Sequence, residues 1–264
     1  METVVSKDGT IIAFDRYGGG PPLILVSGAT ATRAAETSLA ETMSGDFTVL
    51  SYDRRGRGDS GDTLPYAVER EMEDLEALIN EAGGSAFVFG HSSGGVLALR
   101  AATSGLEILK LAVYEPPFIV DNSRTSVPDD YVAHLDQLIA EGRKDDALEY
   151  FMTKAVGIPE EYIEQMKAAP FWEMSESVAH TIPYDGRVMG NTMSGKPLSK
   201  EPWDSIEAPT LVIDGGASEA WMRHGARQLA EMPPDSQHVT LEGQDHLPAN
   251  EVLAPVLVEF FGSK

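Results

Sequence analysis

The sequence predicts an α/β domain, a mostly parallel sheet with helices on both faces and a helical insertion. Three observations point there. Short apolar runs alternate with helical stretches from residue 23 to residue 114. That rhythm stops after Phe118, resumes at residue 209 and closes with an apolar helix. At 264 residues, the chain is long enough for one large domain with an insertion and too short for two full-sized ones. Strands alternating with helices imply parallel pairing through right-handed crossovers.

The elements follow in order. T-V-V-S, then K-D-G-T, then I-I-A-F-D reads as a hairpin, with Asp8-Gly9 supplying the turn. Gly18 to Pro22 breaks it. L-I-L-V (23–26) is a continuous apolar run, as in strands buried on both faces, and it ends in Ser27-Gly28-Ala29. F-T-V-L-S-Y-D (47–53) is a further strand, followed by R-R-G-R-G-D-S (54–60). Leu75, Leu78 and Ile79 at helical spacing mark a helix over 66–82, stopped by Gly83-Gly84. A-F-V-F (86–89) runs into G-H-S-S-G-G and a helix, and I-L-K-L-A-V-Y (108–114) ends at Glu115-Pro116-Pro117. Residues 119–203 read as helical throughout. P-T-L-V-I-D (209–214), a helix near 219–231, H-V-T-L (238–241) and a terminal helix complete the chain. The expected division is a core of 1–118 and 204–264 with a helical cap of 119–203.

Composition narrows the function classes. The net charge of −22 would repel nucleic acid or an anionic membrane surface. The same acidity serves solubility, and its field also disfavours anionic substrates. With no cysteine, the chain has no disulfide, thiol nucleophile or cysteine-ligated metal. The N-terminus lacks a basic start before an apolar stretch, and no run approaches the ~20 apolar residues of a membrane span, so the expected location is the cytoplasm. No H-E-x-x-H cluster points to metal hydrolysis, and G-H-S-S-G-G is not a G-x-G-x-x-G dinucleotide turn. No cofactor is expected.

Gly90-His91-Ser92-Ser93-Gly94 carries the chemistry. It matches G-x-S-x-G directly after an apolar strand and directly before a helix, the context that gives this short pattern meaning. A serine at such a turn sits in a strained conformation that flanking glycines permit, and the helix N-terminus stabilises developing negative charge. A neutral hydroxyl needs a base. Of six histidines, His91 neighbours the serine and is expected to point away and pack. His134 and His180 fall in the insertion, His224 on a surface helix and His238 inside a strand. His246, in E-G-Q-D-H-L-P after the last strand, reaches the same sheet edge as the other strand ends and is the chosen base.

At this point nearly the whole chain resembles the α/β-hydrolase superfamily, in particular its capped esterase-like and lactonase-like members. Asp53-Arg54-Arg55-Gly56-Arg57-Gly58-Asp59-Ser60 is similar to the family's D-x-R-G-x-G-x-S turn, G-H-S-S-G to its nucleophile elbow, P-T-L-V-I-D-G-G to its penultimate strand, and G-Q-D-H to its histidine loop. The resemblance implies that the arginine-rich turn is structural support rather than a binding patch.

Two places depart from the family pattern. Many relatives carry an aspartate three residues after the first glycine of the penultimate-strand motif, where this chain has Ser218. Asp214 and Glu219 flank that position, Asp214 too early and Glu219 opening a helix that leads outward. Glu115 is the better acid, because some branches resemble V-Y-E-P-P-F in placing the acid after the strand that follows the elbow. Two prolines stiffen its backbone, and a carboxylate leaving a buried strand calls for a partner. All three remain candidates on sequence. Ser27-Gly28 also stands where relatives usually carry His-Gly. Because the oxyanion donor is a backbone N–H, the resemblance still implies Ala29 and Ser93 as the two donors. Ser27 is either a tuning group or a polar strand end.

The expected function is a serine hydrolase cleaving an uncharged, fairly apolar small-molecule ester or lactone through an acyl-enzyme on Ser92, with His246 as base. The fold also hosts lyases, cyclases and cofactor-free peroxidase-like enzymes, and a vestigial site would make a ligand-binding protein. Phe118, Phe151, Met152, Phe171, Trp172, Met174 and Met189, with Trp221 and Met222, supply either a substrate wall or the insertion's own core. Neither the individual substrate nor the oligomeric state is encoded in these patterns.

Overall fold

The computed structural model describes residues 1–262. Among the described residues, eight strands form one sheet: β1 (Glu2–Val5), β2 (Ile11–Tyr17), β3 (Pro22–Val26), β4 (Thr48–Tyr52), β5 (Ala86–His91), β6 (Ile108–Tyr114), β7 (Thr210–Gly215) and β8 (Ser236–Leu241). Their order is β1-β2-β4-β3-β5-β6-β7-β8. The first hairpin pairs antiparallel, β2 joins β4 antiparallel, and every pair from β4 to β8 is parallel.

The strand sequences are apolar because both faces of the sheet are covered. Alternation sends Leu23 and Leu25 of β3 to one face and Ile24 and Val26 to the other. In β6, Ala112 and Tyr114 share the first face with α1 (Thr37–Met43) and α10 (Asn250–Gly262), through Leu39, Met43, Leu257 and Phe261. Leu111 and Val113 face α2 (Val68–Glu81), α3 (Ser93–Thr103) and α9 (Ala220–Leu229) on the opposite side. Each fully buried Leu, Val or Phe contributes about 1.5–3 kcal/mol, so the two layers hold the strand ends in fixed register.

Between β6 and β7 the described residues form helices and irregular chain: α4 (Tyr131–Ala140), α5 (Lys144–Tyr150), α6 (Glu160–Lys167), α7 (Pro170–Ser177) and α8 (Ile182–Met189). Leu135, Trp172 and Val188 of this insertion join the same apolar cluster as α3 and α9. No described helix is long and apolar enough to cross a membrane.

The sheet order positions the site. From β3 the chain moves one way to β4 and then returns to the other side as β5. The carboxyl ends of β3 and β5 therefore lie beside each other at the point where ligands enter sheets of this kind. Val26 pairs with Gly90 and His91 with Tyr114, placing Ser27 to Ala29 beside Ser92, and Ser92 beside Glu115. Gly215 pairs with Leu241, which brings the loop holding His246 to the same edge.

Candidate active site

Ser92 stands between β5 and α3 with φ 56° and ψ −128°, a conformation that costs a non-glycine residue about 1–3 kcal/mol. The turn is held from both sides. The Ser92 N–H donates to the Tyr114 carbonyl at 2.9 Å, and the Gly95 N–H donates to the Ser92 carbonyl at 2.9 Å. Gly94 cannot be replaced cheaply, because a Cβ there would lie 2.2 Å from the Val26 carbonyl oxygen. The sharp turn thus requires α3 to start almost in contact with β3.

Glu115 is fully buried with φ 44°. Its Oε1 accepts the Gly215 N–H at 2.7 Å, and its Oε2 lies 2.8 Å from His246 Nδ1. A carboxylate oxygen accepts, so Nδ1 carries the proton and Nε2 is left with its lone pair. The histidine loop is tied by its backbone. The Tyr114 hydroxyl donates to the Asp245 carbonyl, and the Ala217 N–H donates to the Gln244 carbonyl at 2.8 Å. Ser92 and His246 line one cavity.

His91 does more than pack. Burial, with the nearby His246 adding to it, pushes its pKa down to about 3, so the ring is neutral. Its Nε2–H donates to the His246 carbonyl at 2.8 Å. The available sequence signal was its place at the end of β5, one residue before the nucleophile, where the sheet brings it beside Tyr114.

The other acid candidates are spent elsewhere. Glu219 precedes α9 and lines the cavity rather than leading away from it, but its Oε2 accepts the Trp221 Nε1–H at 2.6 Å. Asp214 is fully buried, with His238 Nε2 at 3.4 Å, and does not line the cavity. The Ser218 hydroxyl has no hydrogen-bond partner among the described residues. His224 pairs with Asp121 at 2.7 Å, and the His134 ring lies 4.5 Å from that of Tyr150, so neither is directed at Ser92.

Ala29 and Ser93 both line the cavity beside Ser92, and among the described residues neither N–H donates to a protein acceptor. Two free amides next to a nucleophile are suited to a developing oxyanion. Gly28 makes room for them, since a Cβ there would stand 3.0 Å from the Ser92 Cβ. Ser27 is fully buried outside the cavity lining, and its hydroxyl has no partner among the described residues.

The cavity measures about 860 Å³. Phe151, Met152, Phe171, Met189, Trp221 and Met222 form its apolar wall. The remaining sequence candidates lie elsewhere: Phe118 is in the core, Trp172 is buried with its Nε1–H on Asp145, and Met174 is exposed. No lysine or arginine occurs among the described lining residues. Glu36 does line it, and burial pushes its carboxyl up to about 7. The acidic group Asp145, Asp146 and Glu149 belongs to the insertion and is engaged with Lys167, Arg143 and Trp172.

Comparison with known proteins places the chain among alpha/beta hydrolases. The profile of the alpha/beta hydrolase family matches residues 23–256. The solved structure of an alpha/beta hydrolase from Sphaerobacter thermophilus superposes with a TM-score of 0.92 at 58% identity, covering 98% of this chain and all of that one. N-formylmaleamate deformylase from Pseudomonas putida is 32% identical over 138 residues, 51% of this chain. That match spans about half the relative's own length, 52%. A 2-(acetamidomethylene)succinate hydrolase from Mesorhizobium japonicum is 25% identical over 244 residues, 89% of this chain and 84% of that protein.

Proposed function

Because this chain belongs to the alpha/beta hydrolase family, we propose that it cleaves a carboxylic ester or lactone through an acyl-enzyme on Ser92. The observation that carries the reading is the 2.8 Å contact between His246 Nδ1 and a fully buried Glu115, at the edge of a cavity that Ser92 also lines. That contact holds one tautomer and offsets the charge of the imidazolium that forms when Nε2 takes the serine proton.

The cycle then has two halves. Ser92 Oγ attacks the carbonyl while His246 Nε2 takes its proton, and the Ala29 and Ser93 amides receive the oxyanion. The protonated His246 gives that proton to the leaving alkoxide, leaving an acyl-enzyme. Water, deprotonated by His246, attacks the ester carbonyl, and collapse returns the proton to Ser92 and releases the acid. No step calls for a metal or organic cofactor. The helices of residues 119–203 act in this reading as a cap on a core of 1–118 and 204–264, supplying much of the apolar wall.

The substrate is a small, uncharged, fairly apolar molecule. The names of two relatives contain a maleamate and a succinate, both anionic at neutral pH. Here the lining has no basic residue among those described and includes Glu36, so a carboxylate would enter without a counter-ion. A fluorophosphonate probe and a panel of neutral and carboxylate-bearing esters, lactones and amides test the whole reading. Wild type is expected to label at Ser92 and to prefer neutral esters or lactones by about tenfold or more, the scale of one unpaired charge in a partly buried site. Folded Ser92→Ala is expected to lose labelling and about 10⁴-fold or more in kcat/KM. Hydrolysis that survives this substitution ends the acyl-enzyme proposal, and exclusive turnover of amides or anions redirects the substrate class.

A further inference from the structure

Resting on the reading of Ala29 and Ser93 as oxyanion donors, we propose that Asp185 of the insertion and Arg57 of the arginine-rich turn are positioning residues for both amides. The argument begins with a peptide plane. The Gly28 carbonyl and the Ala29 N–H belong to one planar trans peptide and point in opposite directions. Arg57 Nη1 donates to the Gly28 carbonyl at 2.6 Å and to the Ala31 carbonyl at 3.3 Å. Drawing the Gly28 oxygen into the protein turns the Ala29 N–H the other way, and Ala29 lines the cavity.

Arg57 is in turn fixed from the insertion. Its Nη2 donates to Asp185 Oδ2 at 2.6 Å, and its Nε donates to Thr181 Oγ1 at 3.0 Å. The second Asp185 oxygen accepts the Ser93 hydroxyl at 2.7 Å and Arg54 Nη1 at 2.7 Å. One carboxylate of α8 therefore holds the residue behind each donor, Ser93 through its own side chain and Ala29 through Arg57 and the Gly28 carbonyl. Arg54 adds a long contact to the Ser27 carbonyl, 3.4 Å, and is balanced by a two-point pairing with Glu71.

Arg54, Arg57, Asp185, Glu71 and Ser93 are each at most 3% exposed. Two cations and two anions cancel, which is the condition under which such charges survive burial. Burial works against ionisation of Asp185, but Arg54 and Arg57 outweigh it and hold the carboxyl below its usual range. A group kept charged, dry and fully bonded is stiff, and stiffness in the donors is what stabilises an oxyanion without reorganisation. Docking of the insertion thus completes the hole, so that the segment covering the substrate also sets the catalytic amides.

Arg57→Lys and Asp185→Asn test this. Lysine keeps the charge but cannot hold the Gly28 carbonyl, Thr181 and Asp185 in one planar fork. Active sites are titrated to completion with a fluorophosphonate, so that unfolded molecules are not counted. Turnover of an activated ester is then expressed per titrated site, and affinity is measured for a trifluoromethyl ketone, whose Ser92 adduct places an oxyanion in the hole. Expected is a fall in kcat of about 10- to 100-fold, less than loss of a whole donor, with KM within about threefold. Ketone affinity should fall by the same factor as kcat.

A merely structural role predicts fewer titratable sites with normal turnover at each. Turnover per site within about twofold of wild type in both variants overturns the proposal while leaving the Ser92 reading intact. Wild type that does not label overturns that parent reading and this proposal with it. Should Asp185→Asn not fold, Ser93→Ala removes only the tether and keeps the N–H. It should show the same pairing of kcat and ketone affinity at about 3- to 10-fold, the worth of one hydrogen bond, and an unchanged value overturns the Ser93 arm.

Discussion

Two carboxylates end neighbouring strands of the same sheet, and each faces a histidine, yet they differ in almost everything else. Glu115 follows β6, with one oxygen on the Gly215 N–H and the other on His246 at the cavity. Asp214 lies within β7, beside His238 at 3.4 Å and Arg223 at 3.7 Å, and reaches neither His246 nor the cavity. The difference is one of direction. Asp214 is paired with Thr240 in the ladder, so the pleat decides its face. Glu115 has just left its strand, and its φ of 44° swings the side chain toward the end of the sheet. An acid becomes useful to the site by escaping the pleat.

The largest expected effect comes from exchanging Glu115 for glutamine. Glu115→Gln keeps the shape, loses the charge and no longer selects the tautomer, so kcat should fall by about 10²–10⁴-fold with the fold retained. Steady-state kinetics with circular dichroism as the folding control checks it. Near-normal turnover would erase the contrast between the two acids.

Asp214→Asn should leave kcat within about threefold, because this side chain is outside the cavity. Its effect belongs to stability. Burial raises the Asp214 pKa, but His238, Thr240 and Arg223 lower it further, so the folded-state value lies below the usual carboxylate range. A depressed folded pKa stabilises fully above the unfolded value, about 3.9, and that stabilisation is lost as pH falls below it. Urea unfolding should find the variant less stable than wild type near pH 6, with the difference closing below about pH 4. A difference that widens in acid would reverse the sign assigned to Asp214.

Glu219→Gln should have the smallest effect, within about twofold in kcat on an activated ester, since this residue serves the Trp221 indole rather than His246. A loss matching that of Glu115→Gln would move the acid to Glu219 after all.

Much of this was legible in one dimension. The elbow declares itself by an apolar strand, G-H-S-S-G and a helix, and the structure turns at that point, with Ser92 at φ 56°. The hairpin at Asp8-Gly9 and the apolar β3 and β6 were equally plain, because propensity and period act over a few residues, whereas 119–130 and 190–202, expected to be helical with the rest of 119–203, are turns and irregular chain. His246 was singled out by its loop and its place in the chain order, and Glu115 by its resemblance to family branches that place the acid after this strand, with the proline pair in support. The roles of His91 and Asp185 were not visible. The first acts across 155 residues on a backbone carbonyl, and the second reaches 128 residues back to Arg57. Nothing in the local sequence around Asp185 marks it as a neighbour of the nucleophile.

By itself the sequence determined the order of strands and helices, the strained serine, and a short list of bases and acids, since each depends on a window of neighbouring residues. Tertiary structure alone decided which acid meets His246, which aromatic side chains wall the cavity, and what holds the two amides. Those outcomes depend on register across β5 to β8 and on the docking of α8, where a shift of one residue would turn every side chain to the other face.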